Sequence, residues 1–262
     1  LAVTLTLSVV DANAAGLLKP VNAAYKDLQI QQQHVDVVVE DSYITTTVEQ
    51  IFYNANGQDL ETIYSFPVPE KAAVGEFAYW IDGKPVYGEV LEKTKARQMY
   101  ESEKQAGRET ASVEQDEYKT FDISVFPVRA NDQVKIRLVY VQAAEVDASV
   151  GRYVYPLEDG GVDEQKNAFW SRNEAVEQDF SFDFHLKSGV PVDAVRLPQH
   201  PQAVVSGDAT QQYWTVALHN QATIAEGNMP SQAAMQLNQD IVVYWRQADG
   251  LPGSVDMTAY KQ

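Results

Sequence analysis

Apolar and polar residues alternate with a period of two along most of this chain, which restricts it to strands with one buried face. Ile44, Thr46, Val48, Gln50 and Phe52 share one face of a first strand. Leu60, Thr62, Tyr64 and Phe66 share one face of the next, after the turn-like Asn54-Ala-Asn-Gly57. Pro67 and Pro69 lack the N–H that a ladder needs and are expected to end that strand. Phe77, Tyr79 and Ile81 alternate up to Asp82-Gly83, a hairpin signal because a type I′ turn takes positive φ at both central residues. Phe121, Ile123 and Val125 form another strand, expected to pair with Val134, Ile136, Leu138 and Tyr140. The same reading continues beyond Glu145, with Phe180, Phe182, Phe184 and Leu186, then Trp214, Val216 and Leu218, then Ile241, Val243 and Trp245. The stretches 199–210 and 227–238 between them are polar and turn-rich.

One segment breaks the pattern. From Glu89 to Ala106 there is no Pro or Gly, good helix formers dominate, and Val90, Ala96, Met99 and Tyr100 fall near helical spacing. Glu89–Lys93 and Arg97–Glu101 are i,i+4 pairs, and Gly107 is placed to cap the end. The spacing predicts one conspicuous α-helix over about 89–106, lying across a sheet. The fold class expected is mainly β: an antiparallel β-sandwich with that helix and a second β region.

A chain of 262 residues can bury one large core or two smaller ones. Its formal net charge of −17 argues against nucleic acid, since a phosphate backbone calls for clustered Lys and Arg. The acidic surface is read first as a device for solubility, and second as one that holds divalent cations or meets a basic partner. With no cysteine, disulfides, thiolate metal sites and cysteine nucleophiles are excluded. The run 1–10 is short and apolar, and Asp11-Ala-Asn-Ala-Ala15 has an Ala-x-Ala pattern, so 1–15 is expected to be the remnant of a secretory signal. Export to the periplasm, cell surface or medium follows from that reading, and the chain is read as a fragment. No other run is long enough to span a bilayer as a helix.

No catalytic constellation emerges. His34, His185, His200 and His219 show no metal-ligand spacing, and His185 falls on the polar side of its strand. There is no Gly-x-Ser-x-Gly and no glycine-rich phosphate loop. Carboxylates are numerous, but nothing singles out an acid–base pair. Catalytic and cofactor residues are therefore expected to be absent. The acidic stretch Glu158–Glu164 offers a calcium candidate in Asp159, Asp163 and Glu164, against the commoner reading of a solvated loop. Tyr79, Trp80 and Tyr87 cluster around the hairpin; they are either core packing or an exposed platform for a partner.

The ordered set from Ala78 to Tyr140 resembles the VIT domain found at the start of inter-alpha-trypsin inhibitor heavy chains. The residues that carry the likeness are Ala78 to Gly88 with the Asp-Gly turn; Glu92-Lys93, Ala96, Tyr100 and Gly107; Glu114-Gln115 with Phe121; and Val134 to Tyr140. The chain departs from the family at Arg129-Ala-Asn-Asp132, where many members have a Pro-Gly turn. The resemblance implies a VIT domain over 17–145. Residues 146–262 would be a second β-rich region leading to a von Willebrand factor A domain beyond the given sequence, as Asp240–Arg246 and Pro252–Asp256 resemble the strands upstream of one. It further implies a non-enzymatic scaffold that binds a protein partner in an adhesion protein, with any membrane or wall anchor in the missing part. The alternatives are a carbohydrate-binding β-sandwich of a surface enzyme and, more remotely, a hydrolase that uses paired carboxylates.

Overall fold

The computed structural model describes residues 16–40, 42–88, 118–157, 175–176, 179–208, 210–220, 222–223, 231–232, 235–236 and 240–248. The expected signal remnant at 1–15, the expected helix at 89–106 and the acidic stretch 158–164 lie outside these residues.

The alternating runs assemble into one wide base sheet; strands are numbered in chain order. β2 (Gln29–Glu40) and β3 (Tyr43–Tyr53) form a long antiparallel pair, and β3 pairs along its whole length with β8 (Gln133–Ala143). β5 (Ala73–Ile81) lies beyond β8 and carries β6 (Lys84–Tyr87) at the edge. On the other side of β2 come β12 (Asp179–Lys187), β15 (Tyr213–His219) and β14 (Val204–Gly207), completing an eight-stranded sheet in the order β14-β15-β12-β2-β3-β8-β5-β6. The turn between β5 and β6 is the expected type: Asp82 and Gly83 have φ of 49° and 75°, and Ile81 pairs with Lys84.

Two smaller sheets roof the inner face of the base. The first is β1 (Leu17–Pro20), β4 (Leu60–Pro69) and β7 (Tyr118–Val128), ordered β1-β4-β7. The second is β9 (Val146–Asp147), β10 (Val150–Tyr155), β13 (Val192–Arg196) and β19 (Ile241–Gln247), ordered β13-β19-β10-β9. Four two-residue strands make two further ladders: β11 (Ala175–Val176) with β18 (Met235–Gln236), and β16 (Ala222–Thr223) with β17 (Ser231–Gln232).

The inward parity of each strand supplies one continuous core. Ile44, Val48, Phe52, Phe180, Phe182 and Phe184 on the base are all fully buried. Phe52 meets Tyr64 of the first roof edge-on at 6.2 Å, and Phe184 meets Trp245 of the second at 6.1 Å. Trp245 lies against the bare backbone of Gly151, where a Cβ would approach the indole to 2.0 Å. Phe66 and Tyr155, 6.3 Å apart, join the two roofs.

A chain of buried hydrogen bonds runs through the same junction. The Tyr64 hydroxyl donates to Gln50 Oε1 at 2.7 Å, Gln50 Nε2 donates to Gln33 Oε1 at 2.8 Å, and Gln33 Nε2 donates to the Tyr155 hydroxyl at 3.1 Å. Thr46 and Tyr153 share a further hydroxyl contact of 3.0 Å. Burial drives the Tyr64, Tyr153 and Tyr155 phenols well above their ordinary pKa and pushes Tyr140 up to about 12, so all four stay neutral.

Four expectations are corrected. Every regular element among the described residues is a strand, so the fold class is all-β there and carries no conspicuous helix. Helix propensity is a weak local preference, whereas these ladders satisfy backbone groups between distant segments. The sandwich is not purely antiparallel, because β2 and β12 pair in parallel from Gln32–Asp179 to Glu40–Lys187, which puts strands of the second region into the same base sheet. β7 and β8 do not pair with each other: β7 bonds to β4 in the roof and β8 to β3 and β5 in the base. The corner between them, with Asn131 at φ 53°, is stapled by Asn54 Nδ2, which donates to the carbonyls of Val128 and Arg129 at 3.2 and 3.0 Å. Finally, Pro67 lies inside β4, which ends only at Pro69. β1 reaches no further than Ser65, so beyond it β4 has one open side among the described residues, where a missing N–H costs little.

Candidate interaction surface

The three aromatic residues at the β5–β6 hairpin do not form one platform. Tyr79 points inward, packs beside Phe77 at 6.3 Å and donates its hydroxyl to the Phe126 carbonyl at 3.1 Å. Trp80, Pro85 and Tyr87 share the outer face, because Trp80 pairs with Pro85 and Ala78 with Tyr87. Trp80 is half-buried, with Lys135 Nζ 5.0 Å from its ring centroid. Lys135 is itself held by Glu49 at 3.1 Å, which fixes the cation under the indole. Tyr87 is 68% exposed. The structure thus splits the trio into a core residue and a two-residue surface patch.

The outer face of the base sheet continues as a lattice of charged and polar pairs. Arg137 lies 3.6 Å from Glu76, and Lys187 donates to Glu40 at 2.6 Å. Three histidines face aspartates across strands: His34 and Asp179 at 3.6 Å, His185 and Asp36 at 3.5 Å, His219 and Asp183 at 3.0 Å. His34 Nδ1 also meets the Ser181 hydroxyl at 2.9 Å, and His185 stacks on Tyr213. His185 does lie on the polar side of its strand, though paired rather than merely solvated. His200 is buried instead, with Nε2 3.1 Å from the Asp240 carbonyl. Among the described residues no group of His, Asp and Glu is arranged to hold a metal ion. Asp159, Asp163 and Glu164 lie outside them.

The sequence reading missed the outer face of the second roof. Arg152 and Arg196 flank Tyr244 in one cross-strand row, and Val150 and Ala194 flank Arg246 in the next. Alternation alone turns each of these residues outward, but only the register brings them together.

Residues 30–140 match the family model described as the Vault protein inter-alpha-trypsin domain, VIT. The chain carries a VIT domain over that stretch, as its hairpin and following strands suggest. It is 29% identical over 144 residues to protein mono-ADP-ribosyltransferase PARP4 of Homo sapiens, covering 55% of this chain and 8% of that protein. It is 30% identical over 121 residues to von Willebrand factor A domain-containing protein 5A of Mus musculus, covering 44% of this chain and 15% of that one. The chain therefore spans a small part of the length of the curated relatives it matches. Among solved structures it resembles a Legionella pneumophila protein named for nutrient binding, with a TM-score of 0.50 at 11% identity, over 90% of this chain and 73% of that one. That likeness is one of fold. The strands of the second region fall outside the family match, yet they share the base sheet with it.

Proposed function

We propose that this chain is a non-enzymatic scaffold and protein-interaction module, exported from the cell and normally coupled to a von Willebrand factor A domain in an adhesion protein. The observation that carries the reading is the outward patch at the β5–β6 edge. Tyr87 stands exposed beside Trp80, whose ring is fixed from below by Lys135, so a large aromatic contact area is offered at little cost in side-chain entropy. A relative named for a von Willebrand factor A domain supports the coupling, and the apolar N-terminal run with its Ala-x-Ala pattern supports export. The transferase activity in the name of the other relative is not carried over, because the match covers 8% of that protein.

A photo-crosslinking residue at position 87 in the full chain tests this reading. The expected result is a discrete crosslinked protein, competed away by the unmodified chain and not by Trp80→Ala/Tyr87→Ala. Glycan-array binding that is lost in that double variant, with no protein crosslink, would instead establish the carbohydrate-binding alternative.

A further inference from the structure

The outward side of the second roof is chemically unlike the rest of the molecule. Three of the five arginines among the described residues, Arg152, Arg196 and Arg246, stand on this one face of a chain whose net charge is −17. Arg152 and Arg196 are exposed and sit on the two strands either side of β19, with the half-buried Tyr244 between them. Two strand spacings separate their backbones, roughly 10 Å. In the next row Arg246 makes a two-pronged contact with Asp193, Nε to Oδ1 at 2.8 Å and Nη2 to Oδ2 at 2.9 Å. That clamp sets the position of Arg246, while the exposed Arg196 acts on Asp193 only through its charge. Beside Arg196, Tyr244 and Arg246 runs a shallow groove of about 300 Å³, with apolar walls that include Val150, Ala194 and Pro198.

We infer that this groove is a docking site for an acidic, extended segment of a partner protein, with apolar side chains between its carboxylates. Three features select that occupant. A guanidinium offers paired N–H donors matched to a carboxylate, and Arg196, in the groove wall beside Tyr244, presents that match to a carboxylate of an extended chain. The apolar walls accept the intervening side chains, which a sugar or phosphate backbone does not supply. The strongly negative remainder of the molecule repels a long polyanion, whereas a short acidic segment meets only the local positive potential. This surface lies on a different sheet from Trp80 and Tyr87, so the inference stands independently of the patch proposed above.

Fluorescence polarisation on the full chain tests it, with a short labelled peptide rich in glutamate around a central phenylalanine as probe. Its glutamine counterpart and a heparin fragment serve as competitors. The expected result is saturable binding that weakens as salt rises, is not competed by the glutamine peptide, and falls about tenfold in Arg196→Gln. Arg152→Gln/Arg196→Gln should lower it further, and Arg129→Gln, at the distant β7–β8 corner, should leave it unchanged. Arg196→Lys keeps the charge and stem without the planar fork, so it should bind at an intermediate level and guards against misfolding of the glutamine variant. Absence of peptide binding, equal binding by wild type and the double variant, or preferential displacement by heparin would each overturn the inference. So would self-association of the chain through this face, detected by sedimentation and abolished by the double variant.

Discussion

The two roofs solve the same problem inside the molecule and present different chemistry outside it. Each sends tyrosine across the core to a polar group on the base sheet: Tyr64 from the first roof to Gln50, Tyr153 and Tyr155 from the second to Thr46 and Gln33. Outward, the first roof exposes Ile63 and Phe126, while the second presents its three arginines. Their links to the base differ as well. Within the first half every ladder is antiparallel, whereas the second half joins through the parallel seam between β2 and β12. The inner parity of a strand answers to the shared core and the outer parity is free to vary, so a common fold can carry unlike surfaces.

The largest expected effect tests whether the halves are one cooperative unit. Phe182 lies under the second roof against Tyr153 and Tyr155, and Phe52 lies under the first against Tyr64. Phe182→Ala and Phe52→Ala should each cost roughly 3–5 kcal/mol. Because the core is continuous, far- and near-UV circular dichroism should report one coincident melting transition in both variants. A melt that splits, with one half outlasting the other, would break the equivalence of the roofs.

A smaller effect measures how tightly the roofs communicate. Tyr64→Phe leaves Gln50 Oε1 without that donor, and Tyr155→Phe leaves Gln33 Nε2 without that acceptor, each inside the core. Urea denaturation should show a loss of about 1–3 kcal/mol for either change. The two sites share one hydrogen-bond chain through Gln50 and Gln33, so the double variant should depart from additivity by at least about 0.5 kcal/mol. Strict additivity would mean that the roofs are pinned separately.

What was legible in the sequence follows the range of the forces involved. The alternation of Ile44 to Phe52 and of Phe180 to Leu186 is written locally, and both sets are buried as expected. Asp82-Gly83 dictated its turn through backbone sterics alone. Pairing was harder, because β7 and β8 are neighbours in sequence and their separation into roof and base depends on a corner fixed by Asn54, far upstream. The parallel seam between β2 and β12 depends on contacts more than a hundred residues apart, and no local signal encodes it. Tyr79, Trp80 and Tyr87 read as one cluster because they are close in the chain, but parity sends Tyr79 inward. The arginine face stayed hidden for the opposite reason: Arg152, Arg196 and Tyr244 are remote in sequence and meet only through register.

The smallest effect sharpens the comparison at the level of single carboxylates, since each half has an arginine clamp. In the first, Arg129 donates to Asp59 at 2.8 Å and to Asp82 at 3.2 Å. In the second, Arg246 grips Asp193. Both Asp59 and Asp193 are held below the ordinary carboxylate pKa of 3.8, but for different leading reasons. Asp59 is lowered first by the backbone N–H of Ala130, which donates at 2.9 Å, and then by Arg129. Asp193 is lowered first by Arg246 itself. A depressed carboxyl contributes stability that is fully present above its unfolded pKa and is lost as pH falls through the folded value, so both clamps should weaken below about pH 4. Side-chain carboxyl NMR titration should show Asp193 returning toward its ordinary pKa in Arg246→Gln. Asp59 should move less in Arg129→Gln, because the Ala130 N–H stays in place. Equal shifts at the two sites would mean that the corner backbone contributes nothing to holding Asp59 ionised.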